Sequence, residues 1–279
     1  MTRNRLPVVL ATALALLAFA GNSLLTRAAL AGGGIAPDSF AAIRLGAGAA
    51  MLRAIGIGRG LAVRPRAADL PGIIALFAYA AAFSRAYVSL GAATGALILF
   101  TSVQMTIVAG GLVGGAFLSM RQGTGILIAL SGLAWLLAPG VTATPTLGAA
   151  ALMTAAGVAW GVYTLIGRGS GAAIARTARN FIGTIPLALL LVAMAGLDGT
   201  PTAIMLAVAS GAITSALGYV IWYSVLPSLP AVTAASLQLL VPVITALGSL
   251  IWLREPLTTT LTGASLLILA GVAMTLRRS

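Results

Sequence analysis

The sequence predicts an all-α polytopic membrane protein whose ten transmembrane helices form two inverted five-helix repeats. Three observations carry that prediction: a composition too apolar for water, ten apolar runs set apart by short breaks, and a second half that echoes the first. Of 279 residues, 60% are hydrophobic and 7% charged, against roughly 25% charged residues in a soluble domain. Crossing about 30 Å of hydrocarbon takes roughly 20 helical residues, so ten crossings leave connections of only about six and no room for a folded soluble domain.

The missing residue types exclude most chemistry. There are 16 basic residues, all Arg, and 4 acidic ones, with no His and no Cys. That inventory removes His and Cys metal ligands, cysteine nucleophiles, His-based triads and disulfides, and the prediction is of no enzyme, no metal and no cofactor. A net charge of +12 can mark a nucleic-acid binder. Here, however, the Arg residues lie between long apolar segments and form no basic patch interleaved with polar sequence. The predicted partners are the lipid bilayer, at its anionic face, and a small-molecule substrate, with no nucleic acid.

Taken in order, the predicted spans run from Leu6 to Thr26, Phe40 to Ile57, Leu70 to Leu90, Thr94 to Leu118, Gly123 to Ala138, Thr146 to Ile166, Ala173 to Gly196, Thr202 to Val225, Ala231 to Leu253 and Leu257 to Leu276. The intervening breaks are built from turn formers or charges, among them Gly32-Gly33-Gly34, Arg59 to Ala68, Asp198 to Pro201 and Arg254-Glu255-Pro256. In the first span, Arg3, Arg5 and Ala18-Phe19-Ala20 resemble a secretory signal with its cleavage site. The apolar run continues to Thr26, long enough to cross, so the segment is read as a span.

Sliding the chain against itself by about 139 residues brings Ser89-Leu90-Gly91-Ala92-Ala93-Thr94-Gly95-Ala96 onto Ser228-Leu229-Pro230-Ala231-Val232-Thr233-Ala234-Ala235, and a slip of one brings Tyr79 and Phe83 onto Tyr219 and Tyr223. The repeats are residues 6–138 and 146–276. Five spans in each half is an odd number, which turns the second copy upside down in the membrane, as in many secondary transporters. With both termini cytoplasmic, Arg3, Arg5, Arg53, Arg59, Arg64, Arg66, Arg121, Arg168, Arg176, Arg179, Arg277 and Arg278 fall at the inner side. Only Arg27, Arg44, Arg85 and Arg254 then lie towards the outer side. The excess of inner Arg selects this orientation, in a bacterial-type inner membrane.

The run Gly218-Tyr219-Val220-Ile221-Trp222-Tyr223, then Leu229-Pro230-Ala231-Val232-Thr233-Ala234-Ala235-Ser236-Leu237-Gln238-Leu239-Leu240-Val241-Pro242-Val243-Ile244, then Leu253-Arg254-Glu255-Pro256 resembles the second half of an EamA-type member of the drug/metabolite transporter superfamily. The first half is a looser match. It has Gly21-Asn22 and Arg27 in the first span and Arg44 in the second, but lacks the Trp often found before that Gly and the Arg-Glu pair after its fourth span. Within the superfamily, Ala159-Trp160-Gly161-Val162-Tyr163-Thr164-Leu165-Ile166-Gly167-Arg168 looks like the sixth span of YddG-type aromatic amino acid exporters. The resemblance implies an inner-membrane exporter of aromatic and other apolar amino acids working by alternating access. A general drug or metabolite exporter is the alternative within this class, and a passive channel or helical membrane scaffold the alternative outside it.

All five Tyr fall in the third, sixth and eighth spans. Tyr79, Phe83 and Tyr87 are spaced by four, and Trp160 and Tyr163 by three, so each set forms a stripe on one helix face. Such stripes either converge on a cavity or serve as packing and headgroup anchors. Tyr79, Phe83, Trp160 and Tyr163 are the candidates for holding a substrate ring, and Asn22 and Gln104 for its zwitterion. An amide facing lipid is costly, so Asn22, Gln104 and Gln238 should face a cavity or a neighbouring helix. Arg44 and Arg85 are candidate carboxylate or gate contacts, although both lie near outer span ends, where snorkelling is the other reading. Arg254-Glu255 reads as a solvated loop pair. Gly110-Gly111 and Gly114-Gly115 in the fourth span, and Ala246, Gly248 and Ser249 in the ninth, offer small surfaces for close helix approach or for a dimer contact. Pro186 and Pro242 remove helix-interior donors and should kink their spans, as candidate hinges.

The topology is directly testable because the chain has no native Cys. In intact cells, single cysteines at Ala62 or Ser279 are expected to be shielded from an impermeant thiol reagent, and cysteines at Thr142 or Gly199 to react. Labelling of the opposite pair would reverse the orientation.

Overall fold

A computed structural model describes residues 6–115, 117, 119–138, 146–167, 173–229, 234 and 237–276. Among the described residues every regular element is helical and there is no strand. The helices are α1 (Leu6–Leu30), α2 (Pro37–Gly58), α3 (Leu70–Tyr87), α4 (Ala92–Val113), α5 (Met120–Leu136), α6 (Leu147–Gly167), α7 (Ala173–Gly183), α8 (Ile185–Ala195), α9 (Pro201–Ala209), α10 (Gly218–Val225), α11 (Leu240–Gly248) and α12 (Thr259–Leu276). A π-helical segment, Ser210–Leu217, joins α9 to α10, and a second, Ser249–Leu253, extends α11. Among the described residues these elements group into ten helical rods, each overlapping a predicted apolar run.

Among the described residues seven stretches are long and apolar enough to cross a membrane: Pro7–Leu30, α2, Ala67–Tyr87, α4, α6, Ala173–Ala195 and Pro201–Ser228. Two shorter apolar helices, Leu240–Leu253 and Thr259–Thr275, accompany them. Large apolar side chains stand exposed on the outside of the bundle, among them Leu127, Met205 and Ile251. In water this surface would drive aggregation; in a bilayer it is the solvated face. The chain is a polytopic membrane protein.

Local chemistry sets the helix ends. Pro37, Pro71 and Pro201 stand in first turns, where the missing N–H is unpaired anyway. Ser119 and Gln122 close a capping box at the start of α5, and the Thr200 hydroxyl accepts from the Ala203 N–H at the start of α9. Gly196, with φ of 82°, terminates α8.

The structure bears out the bend expected at Pro186, shows a π segment in the eighth span and corrects the reading of Pro242. The seventh is two helices, α7 and α8, broken at Thr184, because Pro186 lacks an N–H and its ring crowds the carbonyl one turn back. The eighth runs through the π segment. In the ninth, Pro242 sits in the first turn of α11, after a break at Leu239, rather than in a helix interior; residues 230–233, 235 and 236 lie outside the described set. The close approach expected of the fourth and ninth spans is seen at one glycine in each. Gly110 faces Leu165 on α6, and Gly248 faces Leu24 on α1.

Other glycines also let helices approach closely. α5 packs along α12, where a Cβ on Gly125 would lie 2.5 Å from the Gly271 carbonyl oxygen, and one on Gly132 2.9 Å from Ile268 and Leu267. Gly157 and Gly161 bring α6 against α4 at Ser102 and Thr106 in the same way. Lipid tails are as apolar as the helices, so association depends on this close fit. Gly125→Val is expected to overpack the α5–α12 contact and lose about 1–3 kcal/mol, read as a lower unfolding temperature in detergent. Gly123→Val, which meets nothing within 4 Å, should leave that temperature unchanged.

Candidate functional site

α1, α3, α4, α6 and the α9–α10 rod surround a cavity of about 790 Å³. Trp160 of α6 lies between two tyrosines contributed by opposite halves of the chain. Its ring centroid is 4.8 Å from that of Tyr79 on α3 and 5.0 Å from that of Tyr219 on α10. Tyr163, one turn along α6, stacks on Trp160 at 5.3 Å and 24°. Phe19 extends the aromatic wall, 5.9 Å from Tyr219 and edge-on to Trp222 at 5.8 Å. Such contacts fix ring orientation as well as bury area.

A buried polar chain runs along one side of this wall. Tyr79 Oη accepts from Asn22 Nδ2 at 3.2 Å and from Arg44 Nη2 at 2.9 Å. Asn22 Oδ1 accepts from Ser210 at 2.8 Å and from Thr214 at 3.4 Å, and Arg44 Nε donates to Ser215 Oγ at 3.2 Å. Ser210, Thr214 and Ser215 all belong to the π segment, whose widened turn is a recurrent feature of functional sites. α2 can lie against that turn because a Cβ on Gly211 would run into the Arg44 carbonyl.

The two ends of the bundle differ. The cavity lining runs from mid-bundle to Gly167 and Ala173, at the adjoining ends of α6 and α7, and to Thr275 near the end of α12. The opposite end is tied shut. Arg27, near the end of α1, pairs through Nε with Glu255 at 2.7 Å and donates through Nη1 to the Tyr87 and Val88 carbonyls. The other Glu255 oxygen accepts the Ala92 N–H at the start of α4, at 2.7 Å. Arg85 pairs with Asp38 at 2.9 Å, and Ser39 donates to Asp198 at 3.1 Å. Arg254-Glu255 is therefore not a solvated pair, since the Glu255 carboxylate closes an interhelical clasp.

Of the sequence candidates, Asn22, Tyr79, Gln104 and Trp160 line the cavity, and Gln238 joins them. Phe83 and Tyr163 do not reach the lining. Phe83 is fully buried behind Tyr79, 5.2 Å away, and Tyr163 backs Trp160 while its hydroxyl accepts from Asn180. Arg44 does not snorkel; it is 1% exposed and turned inward. Arg85 lies outside the cavity in its half-exposed ion pair. Pro186 and Pro242 lie outside the lining as well, each at the beginning of a helix. Sequence reasoning missed Phe19, Trp222 and Ser215. Phe19 carried a usable signal, being one helical turn from Asn22 on the same face, and Tyr219 was flagged by its repeat match to Tyr79. Ser215 carried none, since only the π segment turns it towards Arg44.

Residues 147–277 match the EamA-like transporter family. Over 272 residues the chain is 49% identical to an uncharacterized protein of Pseudomonas aeruginosa, covering 96% of this chain and 94% of that one. Over 231 residues it is 31% identical to a protein of Streptantibioticus cattleyicolor named a probable terminal-alkyne amino-acid exporter, covering 77% of this chain and 76% of that one. A solved crystal structure shares the fold, with a TM-score of 0.68 at 20% identity over 98% of both chains. With the family model matched over residues 147–277 and a named exporter 31% identical over 77% of the chain, the chain belongs to the EamA-like transporter family.

Proposed function

We propose that this transporter is an inner-membrane exporter of aromatic and other apolar amino acids, working by alternating access with both termini in the cytoplasm. The observation that carries the reading is Trp160, held between Tyr79 and Tyr219 on the wall of one cavity that is clasped shut at one end. Such a wall offers a flat apolar side chain offset-stacked contacts, while the amides of Asn22 and Gln104 offer hydrogen bonds to its polar end. The relative named as an amino-acid exporter supports the substrate class.

Two inverted repeats, 6–138 and 146–276, account for the packing. α3 lies on α6, and the α9–α10 rod, its counterpart in the second half, lies on α1; α4 lies on α6, and α11 on α1. α2 packs on α7 and α8, α5 on α12 and α4 on α11, which are contacts an exchange of halves leaves in place. Alternating access follows from rocking one repeat against the other around a fixed site. With the termini cytoplasmic, the clasp of Arg27, Glu255 and Ala92 is the outer gate and this conformation faces inward. Pro186 and the π segment are the places where the helices can bend.

The substrate contact is tested by the ratio of tryptophan transport to that of a small aliphatic amino acid. Trp160→Ala should lower this ratio roughly two- to twelvefold, the scale of one aromatic contact, at unchanged membrane abundance. Tyr163→Ala should act less, through the support it gives Trp160, and Trp252→Ala not at all. Gln104→Leu should depress all amino acids alike. Equal losses for both substrate classes in Trp160→Ala would make the cage structural and favour a broader drug or metabolite exporter.

The reading also fixes the energetics. No Asp or Glu is among the residues lining the cavity, and Asp38, Asp69, Asp198 and Glu255 are held at helix ends in ion pairs or hydrogen bonds. Proton exchange needs a buried group that titrates near neutrality. Proteoliposomes with a pH gradient and equal substrate on both sides should therefore show no net accumulation, and uphill movement under these conditions would refute uncoupled transport.

A further inference from the structure

Arg44 carries a full positive charge in the interior of the bundle with no carboxylate beside it. Its guanidinium is 1% exposed and meets only neutral groups: Tyr79 Oη at 2.9 Å, Ser215 Oγ at 3.2 Å, and the ring faces of Tyr79 and Phe83, each 5.0 Å from Cζ. Among the described residues Nη1 has no hydrogen-bond partner. The four acids of the chain are engaged elsewhere, Asp38 with Arg85, Asp69 with Arg179, Glu255 with Arg27 and Asp198 with Ser39. A buried, uncompensated charge is costly, and in a membrane interior it marks a place where a ligand completes the pair.

Both hydrogen-bond acceptors of Arg44, Tyr79 and Ser215, line the cavity, so the charge lies one side chain behind the wall. Tyr79 Oη takes two hydrogen bonds, from Arg44 and from Asn22, which commits the oxygen and leaves the hydroxyl hydrogen to be donated. A carboxylate at this wall accepts the Tyr79 O–H, and the guanidinium behind it supplies the counter-charge. For an ammonium group there is no equivalent. The described lining offers amides, hydroxyls and rings, but no carboxylate.

We infer that Arg44 and Tyr79 form a carboxylate anchor, and that the site selects an aromatic carboxylate whether or not it bears an α-amino group. Aryl-substituted oxo, hydroxy or simple carboxylic acids then pass with the amino acids, and amines of the same ring are refused. This inference rests on the proposed reading of the aromatic wall as the ring site.

Three probes sharing one indole ring test it on the purified, unaltered protein: tryptophan, indole-3-propionate, which lacks the ammonium, and tryptamine, which lacks the carboxylate. Binding is read by thermal stabilisation and transport by counterflow in proteoliposomes. Tryptophan and indole-3-propionate should bind within about threefold of each other, and tryptamine at least about tenfold more weakly, the scale of one lost hydrogen bond to a charged partner. Arg44→Lys should keep that order, and Arg44→Met should level it. Tryptamine binding as tightly as tryptophan, or indole-3-propionate failing where tryptophan binds, would overturn the carboxylate rule while leaving the exporter of amino acids standing. Failure of all three probes would remove the aromatic ring site itself, and the anchor with it. Because the wild-type comparison needs no variant, it decides the matter even if Arg44→Met does not fold.

Discussion

The hydroxyl oxygen of Tyr79 accepts from Arg44 and from Asn22, and that one atom joins α1, α2 and α3 at the depth of the cavity. Hydrocarbon offers no water to satisfy a guanidinium or an amide, so each polar side chain must find its partner within the bundle. Asn22 passes the chain on to Ser210 and Thr214, and Arg44 passes it to Ser215, so that the first half of the protein is bound to the π segment of the second. The aromatic wall depends on this network. Tyr79 is both its central acceptor and one flank of Trp160, and the rotation of α3 that satisfies Arg44 also presents the ring.

Paired charge is kept out of this interior. The three ion pairs among the described residues all lie at helix ends: Arg27–Glu255 and Arg85–Asp38 at the clasped end, Arg179–Asp69 at the other. Pairs at partly hydrated ends, such as Arg27–Glu255 and Arg85–Asp38, cost less desolvation than pairs in the core. The Glu255 clasp holds α1, the start of α4 and the α11–α12 connection at once, so one carboxylate ties three segments together. Against these paired charges Arg44 stands out as a cation with neutral neighbours.

Close helix approach makes the rest possible. Gly157 and Gly161 let α6 lie against α4, which carries Trp160 towards the centre of the bundle instead of into lipid. Gly48 gives Phe181 room on α2, and Phe181 in turn lies 6.0 Å from Tyr219. The glycine contacts and the aromatic wall are therefore one construction, in which small residues on one face of a helix place large ones on the other.

Composition alone put the chain in a bilayer, because 7% charged residues cannot solvate a surface of this size. Uninterrupted apolar runs placed the helices to within a few residues, and the motifs around Tyr219 and Glu255 pointed to the family. Asn22, Gln104 and Trp160 were legible as cavity-facing residues because an amide or an indole inside a span has few places to go. The inward turn of Arg44, the retreat of Phe83 and Tyr163 behind the wall, and the reach of Glu255 to Arg27 were decided only by the tertiary structure. In a water-soluble helix a polar face marks the side away from the core. Here lipid and core are equally apolar, so the sequence carries almost no record of which way each helix is turned. That rotation is set by glycine contacts and by hydrogen bonds between residues as far apart as 228 positions, Arg27 and Glu255 among them.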